Sequence, residues 1–156
     1  MDPNRTIAAV ASVLLVVVYA VGSARWVATG DSWYGQLSQP SWQPPDVVFG
    51  IVWPYNFVAL IASGIAVAAH GSATARGVWL VGLAASVAAA LAWARLFYVD
   101  RALGPAAIAL VIAVVVTVPV VATAFVTRRW AGAVLIPYQV WLALAASLSI
   151  GYARLN

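Results

Sequence analysis

The sequence predicts an all-α integral membrane protein, a bundle of five transmembrane helices with a long structured loop between the first two. Three observations carry this. The 156 residues are 65% hydrophobic and only 8% charged, whereas a soluble domain carries about 25% charged residues because its surface must face water. The charges, eight arginines and four aspartates, cannot coat a soluble protein of this size. They also fall at intervals that leave uncharged runs at 7–24, 47–75, 77–94, 102–127 and 130–153. A spanning helix needs about 20 apolar residues at 1.5 Å rise each to cross roughly 30 Å of hydrocarbon.

Each run is long enough once flanking residues snorkel, which places helices near 6–27, 47–69, 77–98, 104–126 and 131–152 within one domain, 1–156. The first run exceeds the usual apolar core of a signal peptide, about 7–15 residues. Its exit carries Arg25 and Trp26, which suit an interfacial anchor, so a retained helix is expected. The second run ends near His70 and Gly71. In the fourth helix Pro119 removes one backbone donor, frees the carbonyl of Val115 and predicts a kink. Gly82, Ser86 and Ala90, then Ala143, Ser147 and Gly151, repeat small residues at i, i+4, a spacing that lets helices approach closely in lipid.

Five spans put the termini on opposite sides. One side holds Arg5, Arg76, Arg128 and Arg129; the other holds Arg25, Arg95, Arg101 and Arg154. The positive-inside rule counts these residues and here it ties. Arginines at helix ends fit lipid headgroups, so nucleic acid is not an expected partner.

The composition excludes much chemistry. There is no cysteine and one histidine, His70, so neither thiolate catalysis nor a protein-built metal site is expected. No ionisable group falls inside a span to serve a proton relay. Catalytic residues are therefore none, and no cofactor is required.

Tryptophan carries the functional signal. The loop 28–46 and the helix start after it contain "WYGQLSQPSWQPPDVVFGIVW", residues 33–53. Proline restricts the backbone at positions 40, 44 and 45. Helix parity puts Trp53 roughly 9 Å inside the second helix from the loop side. Trp93 lies at a comparable depth in the third helix, and Trp141 deeper in the fifth. Trp53 shares a helical face with Asn56 and Phe57, and Trp93 with Ala90 and Phe97. Tyr138, Trp141, Ala145, Leu148 and Tyr152 share a face of the fifth.

These residues, with Trp33, Tyr34 and Trp42 in the loop as lid, predict an aromatic pocket for a flat, largely apolar ligand. Arg95 is a possible partner for a ligand carboxylate. Trp26, Trp33, Trp79 and Trp130 read as interfacial anchors. Leu148, Tyr152 and Arg154 satisfy a permissive sterol pattern.

The loop residues Trp33, Tyr34, Leu37, Pro40, Trp42, Pro44 and Pro45, with Pro137, Tyr138 and Trp141 in the last helix, resemble the TspO/MBR family. That family comprises the bacterial tryptophan-rich sensory proteins and the mitochondrial translocator protein, or peripheral benzodiazepine receptor. The resemblance covers essentially the whole chain. It implies a five-helix bundle, often a homodimer, binding a porphyrin-type tetrapyrrole such as protoporphyrin IX or haem, and in some members cholesterol, beneath the first loop. It implies Trp53 and Trp141 as pocket residues and aligns "ALAWARLFY", 90–98, with the family's third-helix motif. Two alternatives come with it: light-dependent protoporphyrin degradation, and transport of tetrapyrrole or sterol.

The sequence departs from the family at several polar positions. Ala90 stands for an Asn, Ala94 and Arg95 for two prolines, Ala109 for an Asp, Ser149 for an Asn, and Phe57 for a Tyr. A more apolar pocket is the expectation.

Overall fold

A computed structural model describes residues 2–27 and 31–156. The elements among them are α1 (Pro3–Trp26), α2 (Ser32–Gly35), α3 (Asp46–His70), α4 (Ala73–Tyr98), α5 (Leu103–Thr127), α6 (Arg129–Ala133) and α7 (Ile136–Leu155). Four spans are α1, α3, α4 and α5, and the fifth is α6 with α7, Arg129–Leu155.

Local chemistry sets the helix starts. Asp2 accepts the Asn4 backbone N–H at 3.0 Å, with Pro3 opening α1. Ser72 accepts from Ala75 N at 3.1 Å at the start of α4. These side chains satisfy donors that the first helical turn leaves without partners. Pro45, fixed at φ −57°, precedes Asp46 and launches α3. Between α4 and α5 the chain reverses through Arg101 at φ 54°.

The fifth span is not one helix. Val134 and Leu135 form a turn between α6 and α7, because Pro137 lacks the N–H that would reach back to Ala133 and its ring crowds that carbonyl. α3 covers the interruption. Ser63 Oγ donates to Ala131 O at 2.8 Å, and Tyr55 Oη donates to Val134 O at 3.0 Å. Pro119, by contrast, sits inside a continuous α5.

The spans form a ring in the order α3, α1, α4, α5, α7, with α4 and α5 sharing the most extensive interface. Lipid tails are as apolar as leucine, so close approach and interhelical hydrogen bonds drive this packing. A Cβ at Gly82 would lie 2.6 Å from Val120 Cγ2, so any side chain there would force Val120 to shift. One turn on, the Ser86 and Thr117 hydroxyls meet at 2.7 Å, and Thr117 also donates to Ala113 O.

The first small-residue stripe thus joins two helices of one chain. The second does something else: Ser147 and Gly151 receive the loop, as described below.

Trp79 departs from its reading as an interfacial anchor. It is only 1% exposed and donates Nε1–H to Ser12 Oγ at 3.0 Å. Gly64 makes the space, since a Cβ there would meet Ser12 and Trp79. An indole with an internal acceptor and a glycine opposite has no need of the headgroups.

Candidate functional site

A cavity of about 540 Å³ opens at one end of the bundle, within the range of small-molecule sites. Its walls are the C-terminal ends of α1, α4 and α7 and the N-terminal end of α3. That common end is the one at which helix parity gathers the tryptophans.

Aromatic rings build the interior. Trp53 stacks on Phe57 with centroids 5.6 Å apart and planes at 27°, and meets Trp141 edge-on at 6.5 Å. Tyr19 from α1 stands edge-on to both Trp53 and Phe57. Phe49 stands edge-on to Trp141 at 5.1 Å. Across the cavity Trp93 leans on Phe97 and donates Nε1–H to Ser149 Oγ at 3.2 Å. Ala90, Ala145 and Leu148 fill between the rings. Edge-on and offset pairs suit the ring quadrupoles and fix the walls.

Pro54 and Gly50 also line this space. Proline at 54 cannot donate to the Gly50 carbonyl one turn earlier, so α3 carries an unpaired helical acceptor position beside the cavity.

The lid, 31–45, is held at several points. Asp31 accepts the Trp33 N–H at 3.2 Å and starts α2. Arg101 lies 3.6 Å from Asp31 and 5.0 Å over the Trp33 ring. Pro40 and Trp42 lie on Gly151, where a Cβ would come within 2.7 Å of Pro40 Cγ and 3.0 Å of Trp42 Cζ2. Trp42 Nε1 donates to Ser147 Oγ at 3.2 Å. Asn156 accepts from Ser38 N at 2.8 Å and donates to Ser38 O at 3.1 Å.

At the inner surface Gln43 Nε2 donates to the Tyr34 hydroxyl, while the Tyr152 hydroxyl donates to Gln43 Oε1. The single proton of Tyr152 is thereby used. Tyr34 must donate across the 3.1 Å that separates the two phenols, which closes a three-membered ring of hydrogen bonds.

Of the residues expected at the site, Tyr34, Trp53, Phe57, Trp93, Phe97, Trp141, Ala145, Leu148 and Tyr152 line the cavity. The others do not. Trp33 lies outside Phe97, edge-on at 6.1 Å. Trp42 is half exposed and secures the lid from outside. Asn56 and Tyr138 are fully buried behind the wall, and neither side chain has a hydrogen-bond partner among the described residues. Asn56 lies three residues from Trp53, which turns it from the cavity toward the bundle axis.

Arg95 does not face the cavity either. It points outward, its Nε 3.6 Å from Asp100 Oδ2. Arg154 is exposed at the end of α7, whereas Leu148 and Tyr152 are buried. Both arginines stay where water can solvate them.

Tyr19, Gln43, Asp46, Phe49 and Tyr98 also line the cavity without having been singled out from sequence. Tyr19 carried a legible signal: a phenol within an apolar run needs a polar partner or a polar space.

The TspO/MBR family pattern matches residues 11–155. This chain belongs to the TspO/MBR family. It is 32% identical over 130 residues to the tryptophan-rich sensory protein of Cereibacter sphaeroides, covering 81% of this chain and 78% of that one. It is 30% identical over 157 residues to protein CrtK of Rhodobacter capsulatus, covering 93% and 94%. It is also 30% identical over 131 residues to the human translocator protein, covering 83% and 78%. Membership together with five spanning helices makes it an integral, multi-pass membrane protein of the sensory and translocator type.

Seen on this TspO/MBR chain, the lid motif divides its work. Tyr34 faces inward, while Trp33, Pro40 and Trp42 fasten the lid to α4 and α7. Ser149 supplies the acceptor for Trp93.

Proposed function

We propose that this protein is a membrane receptor or sensor that holds a flat, largely apolar molecule of the porphyrin type in the cavity under its lid. The single observation carrying this reading is the set of aromatic walls: Trp53 with Phe57 on one side and Trp93 with Phe97 on the other, Trp141 edge-on to Trp53, around about 540 Å³. Flat rings offer a flat ligand dispersion contacts over both faces, and a membrane-embedded cavity takes its ligand from lipid without exposing it to water. The names of the relatives, sensory protein and translocator protein, agree with a role in which binding is the central act.

The test is titration of the purified protein with a tetrapyrrole while tryptophan emission is followed. Saturable quenching is expected. The Trp53→Ala, Trp141→Ala double variant loses it, and retention of full affinity in that variant would remove the cavity from the proposal.

A further inference from the structure

The rings that wall the cavity are neutral, so charge at its mouth decides which polar groups a ligand can carry there. Asp46 is the one charged side chain among the described residues that line the cavity. It is exposed at the start of α3 and takes part in none of the ion pairs. The four undescribed positions are Met1, Ala28, Thr29 and Gly30, whose side chains carry no charge.

The arginines at this end of the bundle are all committed or turned away. Arg95 pairs with Asp100 outside α4, its side chain 62% exposed. Arg101 pairs with Asp31 and covers Trp33. Arg25 is exposed, and the helical period places it on the face of α1 opposite Ala20, Ser23, Ala24 and Val27, the residues that line the cavity. Arg154 is exposed beyond Tyr152. Three polar side chains at the mouth are engaged too, because Tyr34, Tyr152 and Gln43 satisfy one another.

We infer that this cavity selects a ligand whose polar end is neutral or positively charged, with Asp46 as the residue that discriminates. The inference rests on the proposed function and narrows it: a flat tetrapyrrole with ionised carboxylates is disfavoured against one whose carboxyls are masked. A carboxylate brought to the mouth finds no arginine side chain to pair with and faces the exposed Asp46 carboxylate, and like-charge juxtaposition of this kind penalises binding. A hydrogen-bond donor or an ammonium group in the same place gains a charged acceptor.

The experiment compares protoporphyrin IX with its dimethyl ester, by tryptophan quenching at neutral pH and low ionic strength, in the wild-type protein and in Asp46→Asn. The two porphyrins share one ring system and differ in ionisable groups. The ester is expected to bind at least about tenfold more tightly to the wild type, and the gap to narrow at least about threefold in Asp46→Asn through improved binding of the acid. Because the variant changes the protein and not the ligand, the narrowing is independent of how each porphyrin partitions into detergent. Raising the salt narrows the gap as well. The inference is overturned if the acid binds wild type as tightly as the ester, or if Asp46→Asn leaves their ratio unchanged. If neither porphyrin binds, the underlying cavity reading falls with it, an outcome distinct from binding without charge discrimination.

Discussion

The phenol oxygens of Tyr34 and Tyr152 lie 3.1 Å apart, tying the lid to the last membrane helix across the mouth of the cavity. Gln43 bridges the pair from the lid side. Three polar side chains are thereby satisfied at a place where the bilayer offers little water, so the closed lid carries no orphaned group here.

Removing one hydroxyl opens this ring. Tyr152→Phe leaves Gln43 Oε1 and the Tyr34 proton without partners, and each such loss costs about 1 kcal/mol. Tyr34→Phe takes a donor and an acceptor from the same ring. The two substitutions are expected to be non-additive by at least about 0.5 kcal/mol in a double-mutant cycle, measured by thermal unfolding in detergent. Strict additivity would mean that the ring does not form in solution.

Gly151 admits the lid. Any side chain there meets Pro40 and Trp42, so Gly151→Leu is expected to lift the lid and speed proteolysis within 36–45. Gly77→Ala serves as the control. It lies in α4 with nothing within 4 Å of a new Cβ, and replacing a mid-helix glycine is expected to leave the lid unchanged and stabilise by about 0.5–1 kcal/mol. Equal proteolysis of both variants would detach the lid's position from Gly151.

Asn56 separates structure from binding. Its Nδ2 and Oδ1 are buried without partners among the described residues, and a buried unsatisfied amide costs about 1–3 kcal/mol. Asn56→Leu is therefore expected to hold or raise the unfolding temperature while leaving ligand quenching unchanged. A loss of binding in this variant would put Asn56 in the cavity wall.

Trp79 makes the opposite case. Its indole bonds Ser12 inside the contact of α1 with α4 and beside Gly64 of α3. Trp79→Ala is expected to destabilise by about 3–5 kcal/mol, as removal of a buried large aromatic does. An effect near zero in thermal unfolding would return Trp79 to the lipid interface.

The spans were legible because hydrocarbon imposes a simple demand, about 20 residues without charge, and the aspartates and arginines punctuate the chain accordingly. The depth of Trp53, Trp93 and Trp141 followed from counting alternate crossings. Rotation about each helix axis was harder. Asn56 and Tyr138 share coarse faces with pocket residues, yet a turn of roughly 60° sends them behind the wall. Which arginine meets which aspartate depends on loop geometry, and the Arg101 backbone at φ 54° that aims its side chain at Asp31 leaves no mark on periodicity. Trp79 was misplaced because Ser12 and Gly64, its partners, lie on other helices and far away in sequence. Gln43 and Asp46 read as lid and helix start; only the folded lid brings them to the mouth.

The most direct measurement labels the eight tryptophans with fluorine and follows their NMR resonances during titration with protoporphyrin IX dimethyl ester. A ligand seated under the lid shifts Trp53, Trp93 and Trp141 together, in a saturable way, and leaves Trp26, Trp79 and Trp130 in place. Shifts confined to Trp26 and Trp130, at the bundle's outer ends, would place the ligand on the membrane surface and contradict a site within the bundle.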